Sequence, residues 1–179
     1  MAKRPLEAAE PQLIELEPHE DFRGTWTRVF DSVPLKEAFN FREIRQVSIS
    51  SSKSKHTIRG MHYLLPQAEE WKFIHCQRGS VLDQLVEVSP QSLAKRRIRK
   101  FDLSQDQPTL LVVPPGWAHG FQTLEDETTL LYFMSADYNS TLERGFRFDD
   151  PELDLIWPHP PSCISDKDLS WTGQYNDYG

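Results

Sequence analysis

The chain has few of the features that usually narrow a function. Only two cysteines occur in 179 residues, Cys76 and Cys163. They lie far apart and lack C-x-x-C spacing, which argues against a disulfide framework or a structural zinc site and suits a reducing, cytoplasmic setting. Basic residues are outnumbered, 20 against 27 acidic, giving a formal charge of -7; the basic face that a nucleic-acid scaffold needs is missing. A small anionic ligand in a locally basic pocket remains open. No apolar run nears the roughly 18 residues of a membrane span, and residues 1–12 hold no signal-peptide core. The expectation is a soluble protein that is not exported through such a signal and has no membrane partner.

Long stretches of 3.6-residue periodicity are also scarce, while prolines number 13. That balance points away from a helical bundle and towards short strands separated by turns. Strand candidates are residues 11–17, 25–30, 44–50, 71–77, 80–88, 97–103, 109–113 and 128–135. Several are rich in Val, Ile, Phe and Tyr and are closed by turn residues, as at Arg78-Gly79-Ser80 and Pro114-Pro115-Gly116. The expected fold is all-β, a sandwich or barrel. One helix is expected over residues 34–39, capped by Ser32 or Asp31. Hydrophobic residues at 38% and charged residues at 26% suit a globular chain of single-domain size. No internal repeat, low-complexity tract or linker divides residues 1–179. About residues 1–10 are a candidate for disorder, and the Pro- and Asp-rich residues 149–179 a candidate loop laid across the barrel.

Two of the six histidines stand out by context. His62 lies in Arg59-Gly60-Met61-His62-Tyr63 and His119 in Pro115-Gly116-Trp117-Ala118-His119-Gly120-Phe121, both read as turns rich in glycine and aromatics. Taken singly, a histidine in such a segment more often serves structure than catalysis. Neither turn offers the H-x-H pair that metal-binding barrels use, so no metal is expected. Lys72 and Tyr132 each fall among apolar residues of a predicted strand, where snorkelling or a bonded core hydroxyl is the ordinary explanation. Arg23, Arg28, Arg59 and Lys72 are the candidate phosphate-binding cations.

Taken together, these segments resemble the dTDP-4-dehydrorhamnose 3,5-epimerase family. The ordered match runs from Asp21-Phe22-Arg23-Gly24 through Gln46-Val47-Ser48-Ile49-Ser50, Arg59-Gly60-Met61-His62-Tyr63, Lys72 and Gly79-Ser80-Val81-Leu82-Asp83. It continues with Pro115-Gly116-Trp117-Ala118-His119-Gly120-Phe121, Leu131-Tyr132, Asp150-Pro151, Ile156-Trp157-Pro158 and Ser165-Asp166-Lys167-Asp168. The resemblance implies a cupin-like jelly-roll barrel with short peripheral helices and a homodimer that exchanges an N-terminal strand. It implies no metal, no organic cofactor and a nucleotide-diphospho-sugar as substrate. Protons on C3 and C5 of a 4-keto sugar are α to a carbonyl, and a base removes them if the enolate is stabilised. By resemblance His62 is that base, Asp168 its orienting carboxylate, Lys72 the enolate stabiliser and Tyr132 the acid on the far face. Arg23, Gln46, Arg59, His119 and Phe121 align with substrate-binding positions, Trp26 with an aromatic that stacks on the base, and Tyr138 with a residue that sets sugar conformation.

The chain departs from the family pattern at Arg28, where glutamate is common, at Ser48, commonly asparagine, and at Leu64, commonly glutamine. Arginine only donates hydrogen bonds; thymine N3-H needs an acceptor, whereas cytosine N3 accepts. A dTDP-sugar is the family default and a CDP-sugar the alternative. A 3,4-ketoisomerase on the same substrates and a non-catalytic nucleotide-sugar-binding barrel are the competing functions.

Overall fold

The computed structural model describes residues 9–88 and 96–172; the expected disorder near the N-terminus falls mostly outside them. Two five-stranded sheets form the body. The first has the order β1 (Gln12–Glu15), β9 (Thr109–Val113), β6 (Lys72–Arg78), β11 (Thr128–Met134), β4 (Gln46–Ser52). The second has the order β12 (Glu143–Gly145), β5 (Ile58–Leu64), β10 (Trp117–Thr123), β7 (Ser80–Glu87), β8 (Ile98–Ser104). A separate hairpin joins β2 (Pro18–Asp21) to β3 (Gly24–Thr27). This is the expected cupin-like jelly roll, and among the described residues every strand pairing within it is antiparallel.

Alternation along the strands divides the apolar residues into three cores. Ile74, Cys76, Leu111, Val113 and Leu130 of the first sheet meet Val81, Leu85, Leu103, Trp117 and Phe121 of the second between the layers. The opposite phase of the first sheet, including Phe73, Leu110 and Val112, packs under Leu35 and Phe41. The opposite phase of the second, including Met61, Tyr63 and Ala118, lies under Leu153, Leu155 and Trp157 of the tail. Leu153, Leu155 and Trp157 thus cover the outer face of the second sheet.

The helix α1 (Ser32–Phe39) is the expected one, with Asp31 as its cap: Asp31 Oδ1 accepts from Val33 N-H at 3.3 Å. Pro34 in its first turn has no N-H to leave unbonded. A second short helix, α2 (Asp166–Leu169), was not anticipated; Ser165 caps it by accepting from Asp168 N-H at 3.1 Å. Among the described residues no helix is long and apolar enough to cross a membrane.

The main correction concerns the two histidine segments, which are central strands, β5 and β10, rather than turns. His119 stands opposite His62 and Phe121 opposite Arg59, so one residue of β10, Gly120, faces two of β5, Gly60 and Met61. That bulge breaks period-2 alternation and puts Arg59 and His62, three apart, in the same inward phase. Glycine is required here: a Cβ on Gly60 would overlap Gly120 Cα, and one on Gly120 would reach Met61 Sδ at 2.5 Å. A second correction is the predicted strand over 25–30. It ends at Thr27, because Val29 and Phe30 leave the hairpin and pack under the first sheet.

Candidate active site

Strands from both sheets and one segment of the tail deliver the predicted residues to the space between the layers. From the second sheet, His62, Arg59, His119 and Phe121 face inward. His62 is half-buried, and its Nε2 lies 2.7 Å from Asp168 Oδ1. Asp168 is buried on α2, where Oδ2 also accepts from the Gly60 N-H at 3.2 Å. Burial works to raise the Asp168 carboxyl, yet the His62 bond and charge, the Gly60 N-H and Ser165 together hold it below the usual carboxylate range. With Nε2 given to the carboxylate, Nδ1 is the nitrogen left for chemistry.

His119 has a carboxylate of its own. Its Nε2 lies 2.6 Å from Oδ2 of Asp83 on β7, which is fully buried. Desolvation pushes the Asp83 carboxyl upward, against the pull of His119 and Lys72. The other oxygen, Oδ1, is buried without a hydrogen-bond partner among the described residues. The His119 ring also meets Tyr132 edge-on at 6.0 Å and Phe121 at 6.2 Å.

The first sheet supplies Tyr132 and Lys72. Tyr132 on β11 packs against the central core with part of its surface open. Desolvation first, and then the Asp83 charge, raise its hydroxyl well above the usual phenol range, although Arg59 pulls the other way. Lys72 shares its strand phase with Ile74 and Cys76, and its Nζ pairs with Glu70 Oε2 at 2.8 Å. Ser48 lies opposite Tyr132 and Gln46 opposite Met134 in the β4–β11 ladder. Ser48 thus shares the inward face of Tyr132, while the Gln46 amide donates to Ala136 O at 2.6 Å. Arg59 reaches across the opening to Ser52 Oγ and Ser51 O of the other sheet, both at 3.2 Å. Leu64, at the end of β5, pairs with Glu143.

Three predicted residues are not brought to this space. The hydrogen bonds, ion pairs and ring contacts of Arg23, Trp26 and Arg28 run within residues 19–31. Arg23 pairs with Asp21, Arg28 with Asp31 at 3.0 Å, and Trp26 lies between His19 and the Arg28 guanidinium. Tyr138 sits at the rim, exposed, its hydroxyl donating to Glu143 Oε2 at 3.1 Å.

Four residues were overlooked as site members: Glu70, Asp83, Glu143 and Trp171. Asp83 carried a signal, since a carboxylate at the same strand phase as Val81 and Leu85 points into a core. Glu70 lies just ahead of β6, two residues before the lysine it pairs with. Glu143 lies close enough for the His62 charge to act on it, a proximity that nothing local in the sequence announces. Among the described residues no group of three or more His, Cys, Asp or Glu side chains is arranged to hold a metal.

The sequence pattern of the dTDP-4-dehydrorhamnose 3,5-epimerases matches residues 5–174. The chain belongs to that family. This epimerase is 33% identical over 168 residues to dTDP-4-dehydrorhamnose 3,5-epimerase of Sinorhizobium fredii, covering 92% of this chain and 85% of that one. Against the Shigella flexneri enzyme of the same name it is 31% identical, covering 89% and 90%. Its fold superposes on the dTDP-4-dehydrorhamnose 3,5-epimerase of Bacillus anthracis, solved with TDP and PPi bound, with a TM-score of 0.85, 29% identity and coverage of 94% and 97%. A 3'-monoepimerase from Streptomyces bikiniensis, solved with dTDP-quinovose, gives a TM-score of 0.82 at 27% identity, covering 92% and 84%. The epimerase is therefore an isomerase, with the all-β cupin-like architecture of its relatives.

Proposed function

We propose that this epimerase inverts C3, C5 or both of a nucleotide-diphospho-4-keto-6-deoxy sugar through an enolate. The observation that carries the chemistry is the origin of His62 and Tyr132 in opposite sheets, with the inward space between them. Inversion needs a base on one face of the sugar and an acid on the other, and two layers supply two faces. Asp168 accepts the Nε2-H of His62, so Nδ1 takes the proton from the carbon next to the ketone. The electron pair of that C-H bond moves onto the ketone oxygen, where the Lys72 ammonium stabilises it. Tyr132 then gives its proton to the carbon from the far face, and exchange with solvent resets both groups. Desolvation keeps the Tyr132 hydroxyl protonated, as an acid in this step must be. Arg59, Gln46, Ser48, His119 and Phe121 bind substrate around this centre.

The second part of the proposal is a homodimer in which the N-terminal strand is exchanged and the β2–β3 hairpin completes the partner's site with Arg23, Trp26 and Arg28. Phe22 is 98% exposed and Trp26 55% exposed in the single chain, which supports burial against a second copy. Val47 and Ile49 on the edge strand β4 add an open apolar face. The substrate nucleotide is dTDP, with a CDP-sugar as the comparison, because Arg28 offers only donors to a base. Residues 1–179 act as one domain, and the free thiols of Cys76 and Cys163 suit the cytoplasm.

Proton NMR in deuterated water tests the proposal, with the same 4-keto-6-deoxy sugar offered on dTDP, CDP and GDP. Deuterium entering C3 or C5 with the ketone retained at C4 is the expected result. A ketone moved to C3 identifies a ketoisomerase, and absence of exchange on all three nucleotides refutes catalysis of this kind.

A further inference from the structure

The proposed chemistry leaves one large side chain beside its base unexplained. The indole of Trp171 fills the space that a side chain at position 145 would take: a Cβ on Gly145 would stand 2.5 Å from Trp171 Cε2 and 2.7 Å from Cδ2. Gly145 is the residue of β12 directly opposite His62. The glycine therefore makes room for an aromatic wall next to the imidazole, and the two rings meet edge-to-face at 6.2 Å and 63°.

The same indole helps anchor the segment that carries Asp168. The Lys167 ammonium stands 5.9 Å from the Trp171 ring while bonding Glu143 Oε1 at 2.6 Å. Arg147 donates to Leu169 O at 2.7 Å. Asp168 is thus held by contacts on both sides of it in the chain, Lys167 to β12 before it and Trp171 over Gly145 after it. The polar edge of the indole gains nothing from this arrangement, because Nε1 is buried with no hydrogen-bond partner among the described residues. A buried donor without an acceptor is a cost, so the ring, rather than its N-H, accounts for the placement.

We propose that Trp171 is a positioning residue for the base, fixing the His62 ring so that Nε2 stays on Asp168 and Nδ1 faces the substrate; this rests on the reading of His62 as the base. A ring free to rotate or to exchange tautomers would present a protonated nitrogen to the carbon for part of the time. Displacement of about 1 Å is enough to cost on the order of a hundredfold in rate.

The test compares full-length wild type with Trp171→Phe and Trp171→Ala, using ¹⁵N-histidine NMR without substrate and His62→Gln to assign the signal. Wild type and Trp171→Phe are expected to show His62 as the single Nε2-H tautomer, and Trp171→Ala a mixture of the two. In the deuterium assay Trp171→Ala lowers kcat by on the order of tenfold to a hundredfold with KM little changed, while Trp171→Phe keeps wild-type kcat. A single tautomer with unaltered kcat in Trp171→Ala overturns the proposal, as does a mixed tautomer in wild type. If Trp171→Ala does not fold, Trp171→Phe still decides: loss of kcat in it shows that the N-H, not the ring, is used. If the tautomers shift as expected but wild type exchanges no deuterium on any nucleotide sugar, Trp171 still fixes the His62 ring while the epimerase reading falls.

Discussion

His62 and His119 face each other across the β5–β10 ladder, yet each has its own carboxylate, Asp168 from the tail at 2.7 Å and Asp83 from β7 at 2.6 Å. The two pairs differ in surroundings. Asp168 accepts bonds from His62 and Gly60, whereas Asp83 is fully buried with one oxygen unpartnered among the described residues. The first arrangement favours an ionised carboxylate and the second opposes one.

Asp168 is expected to hold the tail in place near neutral pH. Its folded carboxyl lies below the ordinary value, so its ionised form contributes stability above the ordinary carboxylate pKa of about 4 that is lost as pH falls through the folded one. Asp168→Asn should therefore flatten the acid limb of a plot of unfolding free energy against pH. It should also lower kcat, because an amide oxygen orients the ring without stabilising the imidazolium. Urea melts between about pH 3 and pH 7 check the first outcome, and deuterium exchange the second. An acid limb as steep as that of wild type counts against the assignment.

Asp83 has the opposite sign. Burial raises its carboxyl, so the ionised form weakens the fold as pH rises through the folded value. Asp83→Asn is expected to leave the thermal midpoint near neutral pH unchanged or raised while turnover falls, the pattern of a group kept for function at a cost in stability. Calorimetry of the variant beside its deuterium-exchange rate separates the two effects.

Lys72 and Glu70 form a pair with side-chain exposures of only 14% and 9%. Lys72→Met strands a buried carboxylate and should cost roughly 3 kcal/mol, with a loss of kcat of about a hundredfold or more. Adding Glu70→Gln should restore most of the stability and none of the activity. Recovery of activity in the double variant would mean that Lys72 matters through packing rather than charge.

Tyr132→Phe should impair inversion more than exchange. His62 would still remove and return deuterium on its own face, while the far face loses its acid. Because desolvation and the Asp83 charge raise the Tyr132 hydroxyl well above its ordinary range, wild-type turnover should show no loss from Tyr132 ionisation up to about pH 10. Exchange and net epimerisation read from the same NMR sample make the comparison.

Gly60→Ala tests the close approach of β5 and β10. Its Cβ would overlap Gly120 Cα, and Gly60 has φ of 126°, so the backbone must move. A loss of about 2 kcal/mol or more in denaturant unfolding is expected, with activity lost because Arg59 and His62 leave their shared phase.

Much of the architecture was readable from local pattern. Runs such as Thr109–Val113 and Thr128–Met134 are β-branched and aromatic, bounded by turn residues, and became the inner strands of the first sheet. Where reading failed, the cause was a long-range contact. Arg59-Gly60-Met61-His62 looks like a turn because Gly60 and a bulge disrupt its alternation, and only pairing with β10 makes it a strand. The hairpin β2–β3 was half seen, since the residues after Thr27 follow their packing under the first sheet rather than their propensity.

By itself the sequence determined the fold class, the family, and the residue types gathered between the sheets: an imidazole, a cation, a phenol and a carboxylate in a recognisable order. Tertiary structure decided their arrangement. It set Asp168 against the Nε2 of His62, gave Asp83 to His119, put Tyr132 in the sheet opposite His62 and stood Trp171 against the imidazole. Strand phase and composition are properties of neighbouring residues, and a sequence displays them directly. Residues distant in the sequence meet only when the sheets stack and the tail docks on them, and that pairing is set by the packing of the whole chain.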